Sequence, residues 1–220
     1  MSQPERFVYL LIIVGYLVAG SLFALRTPPW QAPDEPAHYN YIAQAADGML
    51  LPVIQEGDWD NDYLEALKSA RFAPDMLGKL DTVRYENHQP PLYYWLSTPV
   101  FLLTGGSLIA LRFFALFIGL FTVLLSYRVA LAIFPNEQKI ALAAMAFVAF
   151  LPQHLAILAS VNNDSLALAL VALMLLQTIR YLKHETVPVW QLGLLIGIAI
   201  VTKTTVYFMG AVILLAILLR

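Results

Sequence analysis

Residues 7–25 carry no charged side chain and are bracketed by Arg6 and Arg26. That run leaves the chain few choices. A helix rises about 1.5 Å per residue, so crossing the ~30 Å hydrocarbon layer of a bilayer takes roughly 20 apolar residues. The run is longer than the apolar core of a signal peptide and continues straight to Arg26, so it reads as a retained membrane anchor. The chain therefore leaves the bilayer near Arg26 and soon presents Pro33-Asp34-Glu35-Pro36-Ala37-His38, two adjacent carboxylates and an imidazole.

Composition extends the membrane reading to the whole chain. Sixty per cent of residues are hydrophobic, 13% are charged and mean hydropathy is +0.68, which points to an all-α polytopic membrane protein. A net charge of −2 gives no sign of a nucleic-acid partner. The absence of cysteine excludes a disulfide framework, a thiol nucleophile and a thiolate metal site. Further spans are expected over residues 108–127, 140–159 and 165–182, and in the long run 187–219. Thr202-Lys203-Thr204 interrupts that last run. A lysine at mid-bilayer costs about 2.5–3.5 kcal/mol, so two short helices meeting at Lys203 are expected, about six spans in all.

Between the first two spans lies a long polar segment, residues 26–90, which holds eleven of the fifteen acidic residues. Segments of this length usually carry function. Helices are expected over residues 34–47, ending at Gly48, and over 61–70. Residues 91–104 are apolar but too short to cross, which suggests a helix lying at the interface. Positive residues favour the cytoplasmic side. With a cytoplasmic N-terminus, Arg6, Arg128, Lys139, Arg180, Lys183 and Arg220 fall there. The same layout puts Asp34, Glu35, His38, Glu86, His88, Arg112, Asp164 and Lys203 on the outer face of a plasma (inner) membrane. The chain then reads as one transmembrane domain, with residues 26–90 as the first extracytoplasmic loop.

The polar residues of that face allow more than one chemistry. Asp34 and His38 are four apart and share a helix face. They suit a general base, or part of a divalent-metal site of carboxylate and imidazole; a simple acidic helix start is the plain alternative. His88-Gln89-Pro90-Pro91-Leu92-Tyr93-Tyr94-Trp95 combines an imidazole with interfacial aromatics, as a surface helix carrying a lipid-linked substrate would. Arg112 suits a phosphate through its two parallel donors, or reaches out to headgroups by snorkelling. Lys203 is similar. Asn162-Asn163-Asp164 is either a helix cap or a functional carboxylate at the lipid boundary. His154 and His184 read as packing and solvated residues. No phosphate-binding glycine loop, dinucleotide fingerprint, serine elbow or HExxH zinc motif is present.

Taken in order, Pro33-Asp34-Glu35-Pro36-Ala37-His38, His88-Gln89-Pro90-Pro91-Leu92-Tyr93-Tyr94, Ala110-Leu111-Arg112-Phe113, Asn162-Asn163-Asp164 and Thr202-Lys203 resemble the GT-C superfamily of membrane glycosyltransferases that use polyprenyl-phosphate sugars. Protein O-mannosyltransferases and lipid A aminoarabinose transferases are more distant relatives within it. The resemblance implies that Asp34, beside Glu35, is the catalytic base or a metal-linked carboxylate and that Asp164 is the second acid. His38, His88, Tyr93, Arg112 and Lys203 would bind substrate, with Arg112 and Lys203 on the lipid phosphate. The implied partners are the bilayer and a polyprenyl-phosphate-linked sugar. The implied reaction is attack of an acceptor hydroxyl on C1 of that sugar, with inversion. Superfamily members usually have many more spans than this sequence, which covers their N-terminal module. The alternative is a non-catalytic relative acting as scaffold with other membrane proteins.

Overall fold

The computed structural model describes residues 1–220 and is all-helical. Helix α1 (Gln3–Arg26) starts in a capping box, where the Ser2 N–H donates to Glu5 Oε2 at 2.6 Å. Helices α2 (Glu35–Ala46) and α3 (Asn61–Ser69) form where the sequence predicts them. α2 stops against Gly48, whose φ of +95° suits a residue without Cβ. Two 3₁₀ segments, Pro74–Thr82 and Tyr85–His88, complete the long segment.

Then follow α4 (Leu92–Thr104), α5 (Leu108–Ile133), α6 (Gln138–Phe150), α7 (Pro152–Leu158), α8 (Asp164–Leu182), α9 (Val189–Ile200) and α10 (Phe208–Leu219). Helices α1, α5 and α8 are long and apolar enough to cross a membrane. The expected single span over residues 140–159 is instead α6 and α7, bent by 65° at Leu151–Pro152. Proline has no N–H to continue the helix, and Leu151 is extended. The bent pair counts as a fourth span at most. The expectation of six is therefore corrected. The break at residues 201–203 leaves α9 and α10 with 12 residues each, a rise of about 18 Å apiece and well short of the hydrocarbon layer.

The helices have two distinct ends. At one, the Tyr127 hydroxyl donates to Gln138 and lies 3.1 Å from Met1 Sδ, Lys183 Nζ approaches the Ile133 carbonyl and the Arg220 guanidinium lies 4.1 Å over the Tyr181 ring. At the other stand the Arg112–Glu35 and Lys203–Asp164 pairs. Both termini of α4 lie at this second end: the Leu92 N–H donates to the Val201 carbonyl (2.9 Å) and the Tyr39 hydroxyl to the Gly106 carbonyl (2.7 Å). α4 has 13 residues.

Packing is close where small residues permit it. Gly119 of α5 lies against Tyr16 and Leu158, and a Cβ there would stand 2.7 Å from the Tyr16 hydroxyl. That hydroxyl donates to the Leu116 carbonyl. A second apolar cluster joins α8, α9 and α10 through Met174, Leu192 and Ile213. A third seats α2 and α4 on α5 through Tyr41, Tyr94 and Leu111. On the outside, Leu10, Val14 and Leu22 of α1 and Phe117 and Phe121 of α5 are exposed, as a lipid-facing surface requires.

Candidate active site

The site is built from the second end of the helices upward. Arg112, one turn into α5, is 1% exposed and all its donors are taken. Nε and Nη2 donate to the two oxygens of Glu35 (2.8 and 2.5 Å), Nη1 to the carbonyls of Ala24 and Thr27, and Nη2 also to Pro28. Glu35 is fully buried and also accepts from the N–H groups of Trp30 and Val161. A guanidinium fork matching a carboxylate is a strong, directional contact. Here it ties the end of α1, the start of α2 and the approach to α8 to α5. The two residues expected at catalysis and at phosphate are thus spent on each other.

Asp34 is the opposite case. It precedes α2 at the cap position, yet its side chain makes no capping bond. Its backbone is left-handed, φ 58°, ψ 4°, a region that Asp tolerates better than most residues but still at a cost. This turn sends the carboxylate outward, where Oδ1 accepts from the Tyr85 hydroxyl at 2.7 Å. Asp34 and Tyr85 are shared by two open hollows. One, of about 480 Å³, is lined also by Ile54, Trp59, Leu64, Lys68 and His88; the other, about 250 Å³, lies on the Trp30–Pro33 side. Adjacent buried and exposed acids therefore have separate tasks.

Burial sets the protonation of the neighbours. Burial pushes the Tyr85 phenol up, and the bond to Asp34 adds to the effect, so Tyr85 stays a donor. Burial also raises the Glu86 carboxyl, aided by the Asp34 charge and opposed by His88 and Lys203. Its Oε2 has no hydrogen-bond partner. His38 is pulled down to about 3, first by burial and then by the charge of Lys203. Its Nδ1 lies 2.9 Å from the Tyr94 hydroxyl, and Tyr94 stacks on Tyr41 with ring centres 3.6 Å apart. His38 is thus a neutral, packed residue.

The other expected residues fall into two groups. His88 is exposed on the larger hollow, its Nδ1 2.8 Å from the Tyr85 carbonyl. Lys203 Nζ donates to Asp164 Oδ1 at 2.6 Å, and both are partly buried. The lysine's charge reaches His38 and Glu86, and neither member of the pair stands on the lining of the hollows. Tyr93 is fully buried, its hydroxyl unpartnered. Asn162 Oδ1 accepts from the Asp164 N–H at 2.8 Å, the local cap. No three His, Asp or Glu side chains stand close enough to share a metal ion. Asp34 and His38, expected together at a metal, are instead engaged by Tyr85 and Tyr94. Sequence reasoning passed over Tyr85, Trp59 and Lys68. Only the place of Tyr85, three residues before His88, hinted at it.

Comparison with known proteins gives one family match. Residues 88–220 fit the family described as dolichyl-phosphate-mannose-protein mannosyltransferase. No curated protein and no solved structure matches the chain.

Proposed function

The chain belongs to the dolichyl-phosphate-mannose-protein mannosyltransferase family, and on that premise we propose that it transfers a sugar from a polyprenyl-phosphate donor to an acceptor hydroxyl at the outer membrane face, with Asp34 as general base. The observation that carries this reading is the Asp34 carboxylate, turned out of its helix cap and held by Tyr85 at a hollow large enough for a sugar.

The acceptor hydroxyl gives its proton to Asp34 as its oxygen bonds to C1 of the sugar. The C1–O bond to phosphate breaks on the opposite face, and the phosphate oxygen leaves with the electron pair. Tyr85 holds the carboxylate in one rotamer and stays protonated, so its hydroxyl does not compete for the acceptor's proton. Lys203, oriented by Asp164, stabilises the departing phosphate, while Lys68 stands on the lining beside Asp34. His88 lines the sugar hollow. Glu35 and Arg112 act as positioning residues, fixing the backbone from which Asp34 projects. The cytoplasmic N-terminus, the interfacial placement of α4 and the inner-membrane location belong to the same reading.

The test is donor turnover by the purified chain in proteoliposomes supplied with polyprenyl-phosphate mannose and a mixture of peptide and lipid hydroxyl acceptors, followed by release of polyprenyl phosphate. Asp34→Asn removes the charge and keeps the shape. General-base catalysis contributes about 10²–10⁴-fold, so turnover should drop by at least about 100-fold while thermal unfolding is unchanged. Full turnover by Asp34→Asn refutes the assignment.

A further inference from the structure

The segment after α2 has an unusual surface. Residues 48–55 contain no charge, and Met49, Leu50, Leu51, Val53 and Ile54 are all exposed, Leu51 and Val53 by 63% and 67%. A water-facing loop rarely presents five large apolar side chains in six positions, and contiguous apolar surface of this kind marks a partner or a membrane. The loop is not loose. Pro52 is buried between its exposed neighbours, and the Trp95 indole N–H donates to the Leu50 carbonyl at 2.7 Å, fastening the loop to α4.

The surface continues onto α4. Leu96, Leu102 and Leu103 are exposed, the last by 87%. An open apolar groove of about 440 Å³ runs between Leu50 and the α4 residues Trp95, Thr98, Pro99 and Leu102. Both ends of α4 lie at the end of the bundle that carries Asp34, and its exposed Leu103 is followed after a short turn by the exposed Ile109 and Phe113 of the apolar helix α5. Trp95, half-exposed with its N–H satisfied, is of the type that settles at a bilayer interface.

We propose that residues 49–54 and the exposed flank of α4 form a platform inserted among the acyl chains of the bilayer, a membrane contact separate from the spanning helices. The loop reaches the hollow through Ile54, which lines it together with Trp59 and Asp34. Insertion of the loop therefore fixes the depth at which the hollow opens, close to the headgroups. The occupant is the bulk lipid, and the inference does not rest on the catalytic reading.

The chain has no cysteine, so single cysteines report without background. Leu51→Cys, Val53→Cys and, as a water-facing control, Glu65→Cys on α3 are labelled with a nitroxide. Each full-length protein is placed in nanodiscs of phosphatidylcholine and phosphatidylglycerol containing no polyprenyl lipid. Collision rates with oxygen and with a nickel chelate are read by electron paramagnetic resonance. Labels at 51 and 53 should meet oxygen several-fold more often than the chelate, with the reverse at 65. If 51 and 53 meet the chelate as often as 65, the proposal is overturned. It is equally overturned if they leave water only after polyprenyl phosphate is added, because the donor lipid would then be the occupant.

Discussion

The Arg112–Glu35 contact predicts an asymmetric response to mutation. Arg112→Met leaves the buried Glu35 carboxylate with only the backbone N–H groups of Trp30 and Val161 and strips the carbonyls of Ala24 and Thr27 of their donor, while the Pro28 carbonyl keeps the Gln31 N–H. Removing one partner of a buried pair costs about 3–5 kcal/mol, and the two orphaned carbonyls put Arg112→Met at the upper end. Glu35→Gln keeps the shape, and the guanidinium retains its three carbonyl acceptors, so that loss should sit near the lower end. In a chain of this size each kcal/mol lowers the melting temperature by about 2–4 °C, which gives drops of about 6–20 °C. The double variant Glu35→Gln/Arg112→Met leaves no buried charge, so its cost should fall short of the sum of the singles by about 2 kcal/mol. Thermal unfolding in detergent, followed by circular dichroism, measures all four proteins. Singles within about 3 °C of the parent, with an additive double variant, would refute the clamp, since a buried ion pair with seven hydrogen bonds cannot be removed at so little cost.

Two further outcomes follow from packing and from burial. Gly119→Ala pushes a methyl group into Tyr16 and Leu158 and should destabilise by about 1–3 kcal/mol, whereas Gly197→Ala meets nothing within 4 Å and should be neutral or gain up to about 1 kcal/mol; the same melting assay separates them. His38 has its pKa lowered from 6.5 to about 3, so between these values the unfolded chain binds a proton that the folded chain refuses. Its stabilising effect is complete above pH 6.5 and is lost as the pH falls towards 3, at no more than about 1.4 kcal/mol per pH unit. His38→Gln should flatten the acid limb of stability measured between pH 4 and 7; an unchanged slope would show that His38 is solvated.

Much of the architecture was legible because local signals agreed. The apolar runs gave α1, α5 and α8. Gly48 ended α2 where expected, and Thr202-Lys203-Thr204 divided the last run into two short helices. The span count failed for a tertiary reason: Pro152 turns the α6–α7 segment sideways, and a window of hydropathy does not register a bend. The site was half legible. An exposed Asp34 at the head of α2 accords with its place after a span, but Glu35 beside it looked like the same kind of residue. What separates them is a partner 77 residues away, and no local pattern reveals that. Arg112 met the chemical specification for phosphate, and only its acceptors show that it is already occupied. Tyr85 was missed because a tyrosine in a polar segment carries no periodic signal.

The distance between Glu35 and Arg112 along the chain also has a meaning for biogenesis. At about 5–20 residues per second of synthesis, 77 residues take roughly 4–15 s. During that interval α1 is already in the translocation channel or the bilayer, and Glu35 waits at its edge as an unmatched acid. The turn before Asp34 gains its guanidinium clamp only when α5 arrives, after the partners that α2 finds in residues 80–94 have been made. The turn that opens the first polar loop is thus among the later parts to set, and a ribosome stalled before α5 would leave a nascent chain whose turn is exposed to proteases and chaperones at the membrane surface.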